Sequence, residues 1–215
     1  MALREVLIRV SNREVPNLYT ARSYPSRDYD NNGLHEFYKV PVYYVYIEGT
    51  DNRGIAVKRV WNALRFMPYW NDPKDRSPNY STLGWANVGI HYFPKTAVTQ
   101  YKPNYTIHNS PGFSNGAIVI KDRFYIHEGP KDLISYGAGS AGCIGIIGSF
   151  DQFKEDIKEL SGCNLNLSAD SAILQLIKER KLFLQIESAT PPDIFKSRLM
   201  DREYDPITKT TIILY

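Results

Sequence analysis

Apolar positions along this chain fall mostly in short β-branched and aromatic runs cut off by turn-forming residues, and only two stretches show a helical spacing. Residues 5–10 predict a first strand, followed by a polar stretch punctuated by Pro16, Pro25 and Asn31-Asn32-Gly33. Residues 42–47 are β-branched and aromatic and stop at Glu48-Gly49, which predicts a second strand. Residues 55–67 fit either a strand or a short helix, the β-branched start favouring strand. A proline- and asparagine-rich loop over about 68–83 precedes short strand candidates at 85–92 and 105–109. Residues 117–120, the turn Lys121-Asp122-Arg123 and residues 124–127 then read as a hairpin, and 143–147 as another short strand.

The helical spacing comes late. Ser149-Phe150-Asp151-Gln152 has the pattern of a capping box, in which serine accepts from a free backbone N–H and glutamine reaches back. Phe150, Phe153, Ile157 and Leu160 share one stripe, and Gly162 suits the stop beyond the last turn. A second helix is predicted over about 170–180, where Lys178, Arg180 and Lys181 suit its negative end. Residues 181–187 return to strand alternation. Pro191-Pro192 then breaks the chain before a polar tail with one last apolar run at 211–215.

These elements sit in 215 residues of 43% apolar and 23% charged content, the balance of a globular rather than a disordered chain. The 26 Lys and Arg are dispersed among 23 Asp and Glu, and a net charge of +3 without a concentrated basic patch argues against a nucleic-acid partner. No run reaches the ~18 apolar residues of a membrane span. The N-terminus lacks the apolar centre of a signal peptide, so the chain is expected to be cytoplasmic as made, staying there or leaving by a route that reads no such signal. Cys143 and Cys163 are too few for a disulfide scaffold. His35, His91, His108 and His127 lack the close pairing of metal ligands, so neither a metal nor a cofactor is expected.

Against this background one segment stands out. His127 ends an apolar run, and the loop 131–142, carrying Gly137, Gly139 and Gly142, leads to Cys143. In the strand 124–127, Tyr125 and His127 share one face and Phe124 and Ile126 the other. Neighbouring strands, one ending in His127 and one opening with Cys143, bring imidazole and sulfur to one sheet edge. There an imidazole lowers the cost of the thiolate that attacks a carbonyl. Small residues at Ser140, Ala141 and Gly142 let backbone N–H groups face a developing oxyanion. The carbonyl or the carboxylate of Glu128 is the nearest group to hold the imidazole tautomer. The plainer alternative makes Cys143 a small buried strand residue and the glycines ordinary turns.

Tyr125-Ile126-His127-Glu128-Gly129-Pro130, followed by Gly139-Ser140-Ala141-Gly142-Cys143-Ile144, resembles the active-site signature of the L,D-transpeptidases of the YkuD type. The likeness is specific over about residues 116–150 and weak over the rest of the chain. It implies a mainly β fold, a β-sandwich or open barrel with two helices in the C-terminal part. A single β-rich domain over 1–215 would hold a catalytic core at roughly 84–187 and a tail at 188–215. It further implies that Cys143 forms a thioester with a peptidoglycan stem peptide and releases the terminal D-residue, before an amine or water takes the acyl group. By position, Cys143 is the nucleophile and His127 its base, while Ser140, Gly142 and the Cys143 N–H shape the oxyanion pocket. The chain departs from the family twice: its second histidine is Ala141 here, and its arginine after the cysteine is Gly145.

His108 and Arg123 are candidate substrate contacts, although Lys121, Arg123 and Lys131 have the simpler role of solubilising a hairpin turn. His91 and Cys163 read as structural, and half-buried strand positions account for most of the 16 tyrosines. The expected function is cysteine-dependent acyl transfer on peptidoglycan stem peptides, by transpeptidation or carboxypeptidase hydrolysis. Such a substrate lies outside the cytoplasm, which fits the cargo of a phage or contractile secretion system. The alternative favoured by Ala141 and Gly145 is an inactive relative that binds cell wall or a partner protein. A third reading is a different Cys–His hydrolase acting on a small amide.

Overall fold

A computed structural model describes residues 3–22, 37–66, 89–106, 115–140, 142–192, 195–196, 202–205 and 210–213. The first two strands far outrun their apolar cores: β1 spans Val6–Arg22 and β2 spans Phe37–Thr50, paired antiparallel. Past Val10 the ladder slips twice, between Val10 and Glu14 and between Glu14 and Leu18. Each slip bends the ribbon and interrupts alternation, which hides the strand from a period-two search. The ambiguous 55–67 stretch is a strand, β3 (Ala56–Leu64), antiparallel to β2.

The chain continues through β4 (Phe93–Ala97), β5 (Tyr101–Lys102), β6 (Ala117–Lys121), β7 (Phe124–Glu128), β8 (Tyr136–Ala138) and β9 (Ile144–Ile147). Helices α1 (Phe150–Ser161) and α2 (Ala169–Lys178) follow, then β10 (Leu182–Ile186), β11 (Phe195–Lys196) and a separate ribbon of β12 (Arg202–Asp205) and β13 (Thr210–Ile213). Eleven strands form one mixed sheet in the order β4-β10-β1-β2-β3-β9-β7-β6-β5, with β11 added to β2 and β8 to β1. The fold is therefore mainly β with two helices in its C-terminal part.

The path starts in β4 and ends in β5, two halves of one chain segment. Val98 N–H donates to Leu182 O at 2.8 Å and Val119 N–H to Gln100 O at 3.0 Å, so this segment passes from one sheet edge to the other. The sheet thereby curls into an open barrel. Tyr101, Ile118, Ile126 and Ile144 are cross-strand neighbours facing its core. They pack with Phe150, Phe153, Ile157 and Leu160 of α1 and Ala172, Ile173 and Leu176 of α2. Each large side chain there contributes roughly 1.5–3 kcal/mol on burial.

Ser149 caps α1 by accepting from Gln152 N–H at 3.2 Å, and Gly162 ends it with a φ of 68°. The return half of the capping box is not made, because the Gln152 amide donates to Asp156 at 3.2 Å instead. Ser168 caps α2, which stops at Lys178 rather than 180 because Arg180 turns left-handed, with a φ of 54°.

Other local expectations give way to tertiary pairing. The predicted 68–83 loop lies outside the described residues. Of the 85–92 strand only 89–92 is described, and it is irregular; Ile90 N–H goes to Gly142 O and the His91 carbonyl to Arg65. The strand that follows it, β4, tolerates Pro94 because it lies at the end of the sheet path. Residues 105–106 lie outside any strand: Tyr105 N–H returns to Lys102 O at 3.2 Å, turning the chain after β5. Within the glycine loop, β8 pairs with Thr20–Arg22, the part of β1 beyond the reach of β10. The polar tail also supplies strands, β11 pairing with Tyr38 and Lys39.

Candidate active site

Strand register carries the candidate residues to the outer face of the barrel. Lys102 pairs with Ala117, Ala117 with His127, His127 with Gly145, and Gly145 with Leu64. Directly paired residues share a face, so these five form one outer row. Tyr125 stands on the same face, two residues before His127. Cys143 immediately precedes β9, so it does not open that strand as the sequence pattern predicts. Because β7 and β9 run parallel and Ile126 pairs with Ile144, Cys143 lies alongside Tyr125 and one strand across from His127. One strand spacing and two residues of rise set the Cys143 and His127 Cα atoms roughly 8 Å apart. They come from neighbouring segments, and among the described contacts no hydrogen bond joins thiol and imidazole.

His127 is 7% exposed, and its Nδ1 lies 2.6 Å from the Glu128 carbonyl oxygen. A tautomer that donates Nδ1–H to this oxygen keeps Nε2 basic. The carbonyl of Glu128, rather than its carboxylate, is thus the group at the ring. The carboxylate accepts from Asn115 Nδ2 at 3.0 Å. Burial and the nearby Asp151 push the Glu128 carboxyl up, while Asn115 and Lys154 oppose them. Lys154 donates to Asn115 O at 3.0 Å, Asp151 at 3.0 Å and Asp170 at 2.8 Å. Burial works against its charge, but the hydrogen bonds to Asp170 and Asp151 outweigh it and hold the ammonium above its ordinary range.

Cys143 is partly exposed. Burial pushes its thiol up, and a backbone hydrogen bond from Tyr125 only partly opposes this. The resting group at neutral pH is therefore the thiol. Burial is the first influence on the sulfur and works against the imidazole-lowered thiolate expected from the sequence. Tyr105 stands nearby, its ring 4.6 Å from that of Tyr125. Burial, Cys143 and Tyr125 all push its phenol up.

The turn before Cys143 is locked by its own hydrogen bonds. Ser140 Oγ donates to Cys143 O at 2.7 Å, and Gly142 N–H to Ser140 O at 2.8 Å. The Gly142 N–H is therefore committed within the turn, and the Ser140 hydroxyl holds the Cys143 carbonyl. Gly142 has a φ of 81°, and a Cβ on it would fall 2.5 Å from Gly89 Cα, so glycine is required twice over. A Cβ on Gly129 would meet the Gly145 backbone at 2.7 Å. A Cβ on Gly145 would lie 3.4 Å from both Gly129 and Ser140, an ordinary van der Waals contact.

A buried strap supports this turn. Arg65, 1% exposed, donates to the carbonyls of Ser11 at 2.8 Å, Glu187 at 2.9 Å and His91 at 3.1 Å. Burial lowers its guanidinium to about 10. It thereby holds the segment 89–91, whose Ile90 N–H reaches Gly142 O at 3.1 Å. His91 stacks on Phe66 at 5.2 Å, a packing role, and burial and then Arg65 push its imidazole down.

His108 lies outside the described residues. Arg123 is exposed in the turn that opens β7, with Lys121 before it. Cys163 is free and buried, and no metal-binding cluster occurs among the described residues. A cavity of about 770 Å³ opens elsewhere, at the C-terminal end of α1, lined by Arg4, Arg59, Glu159 and Cys163 among others. Its charged wall is already paired, Arg59 with Glu159 at 3.1 Å, and it holds no nucleophile–base pair. Local pattern reaches Tyr125, which alternates with His127. Lys102 and Tyr105 escape it, because nothing in residues 101–105 announces a pairing with β6. No family model, curated protein or solved structure matches this chain.

Proposed function

We propose that the outer face carrying Cys143 and His127 performs cysteine-dependent acyl transfer on peptidoglycan stem peptides, as a diverged L,D-transpeptidase-like enzyme working by transpeptidation or by carboxypeptidase hydrolysis. What supports this reading is that β7 and β9 pair directly and in parallel, which brings Cys143, the residue just before β9, beside the strand that carries His127, whose Nδ1 is anchored on Glu128 O. With Nδ1 kept on Glu128 O, the reading requires the Cys143 side chain to rotate between staggered wells toward Nε2. Nε2 then takes the thiol proton and the thiolate adds to the scissile carbonyl. The amide C–N bond breaks as His127 returns the proton to the leaving amine, and the acyl group remains as a thioester on Cys143. An amine or water, with His127 again as base, releases it. With the Gly142 N–H committed, the Cys143 N–H is the oxyanion donor left from the expected set.

The test is release of the terminal D-alanine from tetrapeptide muropeptides by the wild type, Cys143→Ala and His127→Ala. The reading expects release by the wild type, none by Cys143→Ala and a large loss in His127→Ala. Absence of release by the wild type contradicts it. No helix among the described residues is long and apolar enough to cross a membrane. Delivery to the extracytoplasmic substrate by a phage or contractile secretion system belongs to the same proposal.

A second reading draws on the raised thiol and its lack of a bond to the imidazole: an inactive relative that binds cell wall or a partner protein. It expects sedimentation with purified sacculi that Cys143→Ala leaves unchanged, and no D-alanine release.

A further inference from the structure

Lys102 is the one cation in the outer row that holds His127. One strand, β6, lies between them, and its residue in the row is the small, buried Ala117. Lys102 Nζ donates to the Tyr125 hydroxyl at 3.1 Å and lies 4.8 Å from the centre of the Tyr125 ring. Among the described residues no carboxylate pairs with it. The buried cations behave differently. Lys154 is held by Asp151, Asp170 and the Asn115 carbonyl, and Arg65 donates to three carbonyls while its Nε has no partner among the described residues. Lys102 alone keeps an ammonium whose described partner is a neutral phenol.

The phenol it touches belongs to the residue alongside Cys143, and the Tyr105 ring lies tilted against the same ring, centre to centre at 4.6 Å. A cation held over an aromatic wall beside a nucleophile has donors left for an anion, and the low surrounding dielectric strengthens that contact. Successive Cα atoms of a peptide lie only ~3.8 Å apart, so a carboxylate within reach of both Lys102 and a substrate carbonyl at Cys143 belongs to the residue next to the scissile bond.

We propose that Lys102, held by Tyr125, is the specificity-determining residue that binds the free C-terminal carboxylate of the acyl-donor peptide, so that the site acts on the last peptide bond of a chain and discriminates against internal bonds. This rests on the acyl-transfer reading for its location but is tested without any turnover. The Cys143→Ala protein, which forms no thioester, is titrated by calorimetry with a stem tetrapeptide as the free acid and as its C-terminal carboxamide. The same titrations are made with Lys102→Met and Lys102→Arg added to that background, and circular dichroism checks that each variant is folded.

The free acid is expected to bind about tenfold more tightly than the carboxamide, the scale of one charge-assisted hydrogen bond. Lys102→Met is expected to erase the difference by weakening the acid alone, and Lys102→Arg to retain most of it. Equal affinity for acid and amide, no binding of either, or discrimination that survives Lys102→Met overturns the assignment. Discriminating binding by a protein whose wild type never acylates would instead sink the acyl-transfer reading and leave carboxylate recognition standing, which separates the two failures.

Discussion

The two cysteines sample opposite sides of the same barrel wall. Cys163 is 6% exposed, packs in the core and has its sulfur 4.0 Å from the Ala172 carbonyl. It follows the end of α1, with the apolar core on one side and the charged cavity at the end of that helix on the other. Cys143 follows a turn that Ser140 and Gly142 hold in place, beside Tyr125; His127 and Lys102 share a row of the sheet by register, and Tyr105 packs on Tyr125. The inner face packs one large, mainly apolar cluster. The outer row ends in Leu64, part of a second apolar cluster with Val40, Val42 and Ile147, and beyond it brings unlike groups together. That difference, more than the presence of a histidine and a cysteine, separates a candidate site from a core.

Substitutions should break this contrast in graded steps. Phe153→Ala removes a fully buried ring from the core and is expected to cost about 4 kcal/mol in urea denaturation. Gly142→Ala is expected to cost about 3 kcal/mol, because it adds left-handed strain to a backbone overlap. A loss below about 1 kcal/mol would mean that the turn before Cys143 is not held as described. Cys163→Ser places a hydroxyl in the core and should cost about 1–2 kcal/mol, whereas Cys143→Ser should stay within about 0.5 kcal/mol. Equal costs would erase the distinction between the faces.

Alkylation by iodoacetamide reads the same contrast in reactivity. Because burial raises the Cys143 thiol, its thiolate fraction at any lower pH falls below that of an ordinary thiol. Its alkylation rate should rise about tenfold per pH unit from 7 to 8.5 and still be climbing there. A rate already level at pH 6 would show a depressed thiol and contradict the burial-dominated resting state. Cys163 should remain unmodified until the protein unfolds.

How much of this was legible beforehand depended on the range of the interaction. The hairpin β6–β7, the Ser149 cap and the Gly162 stop are written in consecutive residues, and they appear close to where the pattern puts them. The far half of β1 was not legible, because two bulges erase its alternation. The face shared by Tyr125 and His127 follows from period two alone. Their neighbourhood with Cys143 needed the guess that β7 and β9 pair, and the raised thiol needed the packing around it. Lys102 was invisible, since only the long-range pairing of β5 with β6 brings it into the row of His127. The Arg65 strap likewise joins Ser11, His91 and Glu187, which nothing local connects.

The most direct trial of the outer-face dyad is intact-mass spectrometry after incubation with a stem tetrapeptide, followed by peptide mapping. An adduct equal to the donor minus its terminal D-residue should appear on Cys143. It should be absent from Cys143→Ala and form at least about a hundredfold more slowly in His127→Ala. An adduct mapped to Cys163, or none at all on folded wild-type protein, would contradict the account.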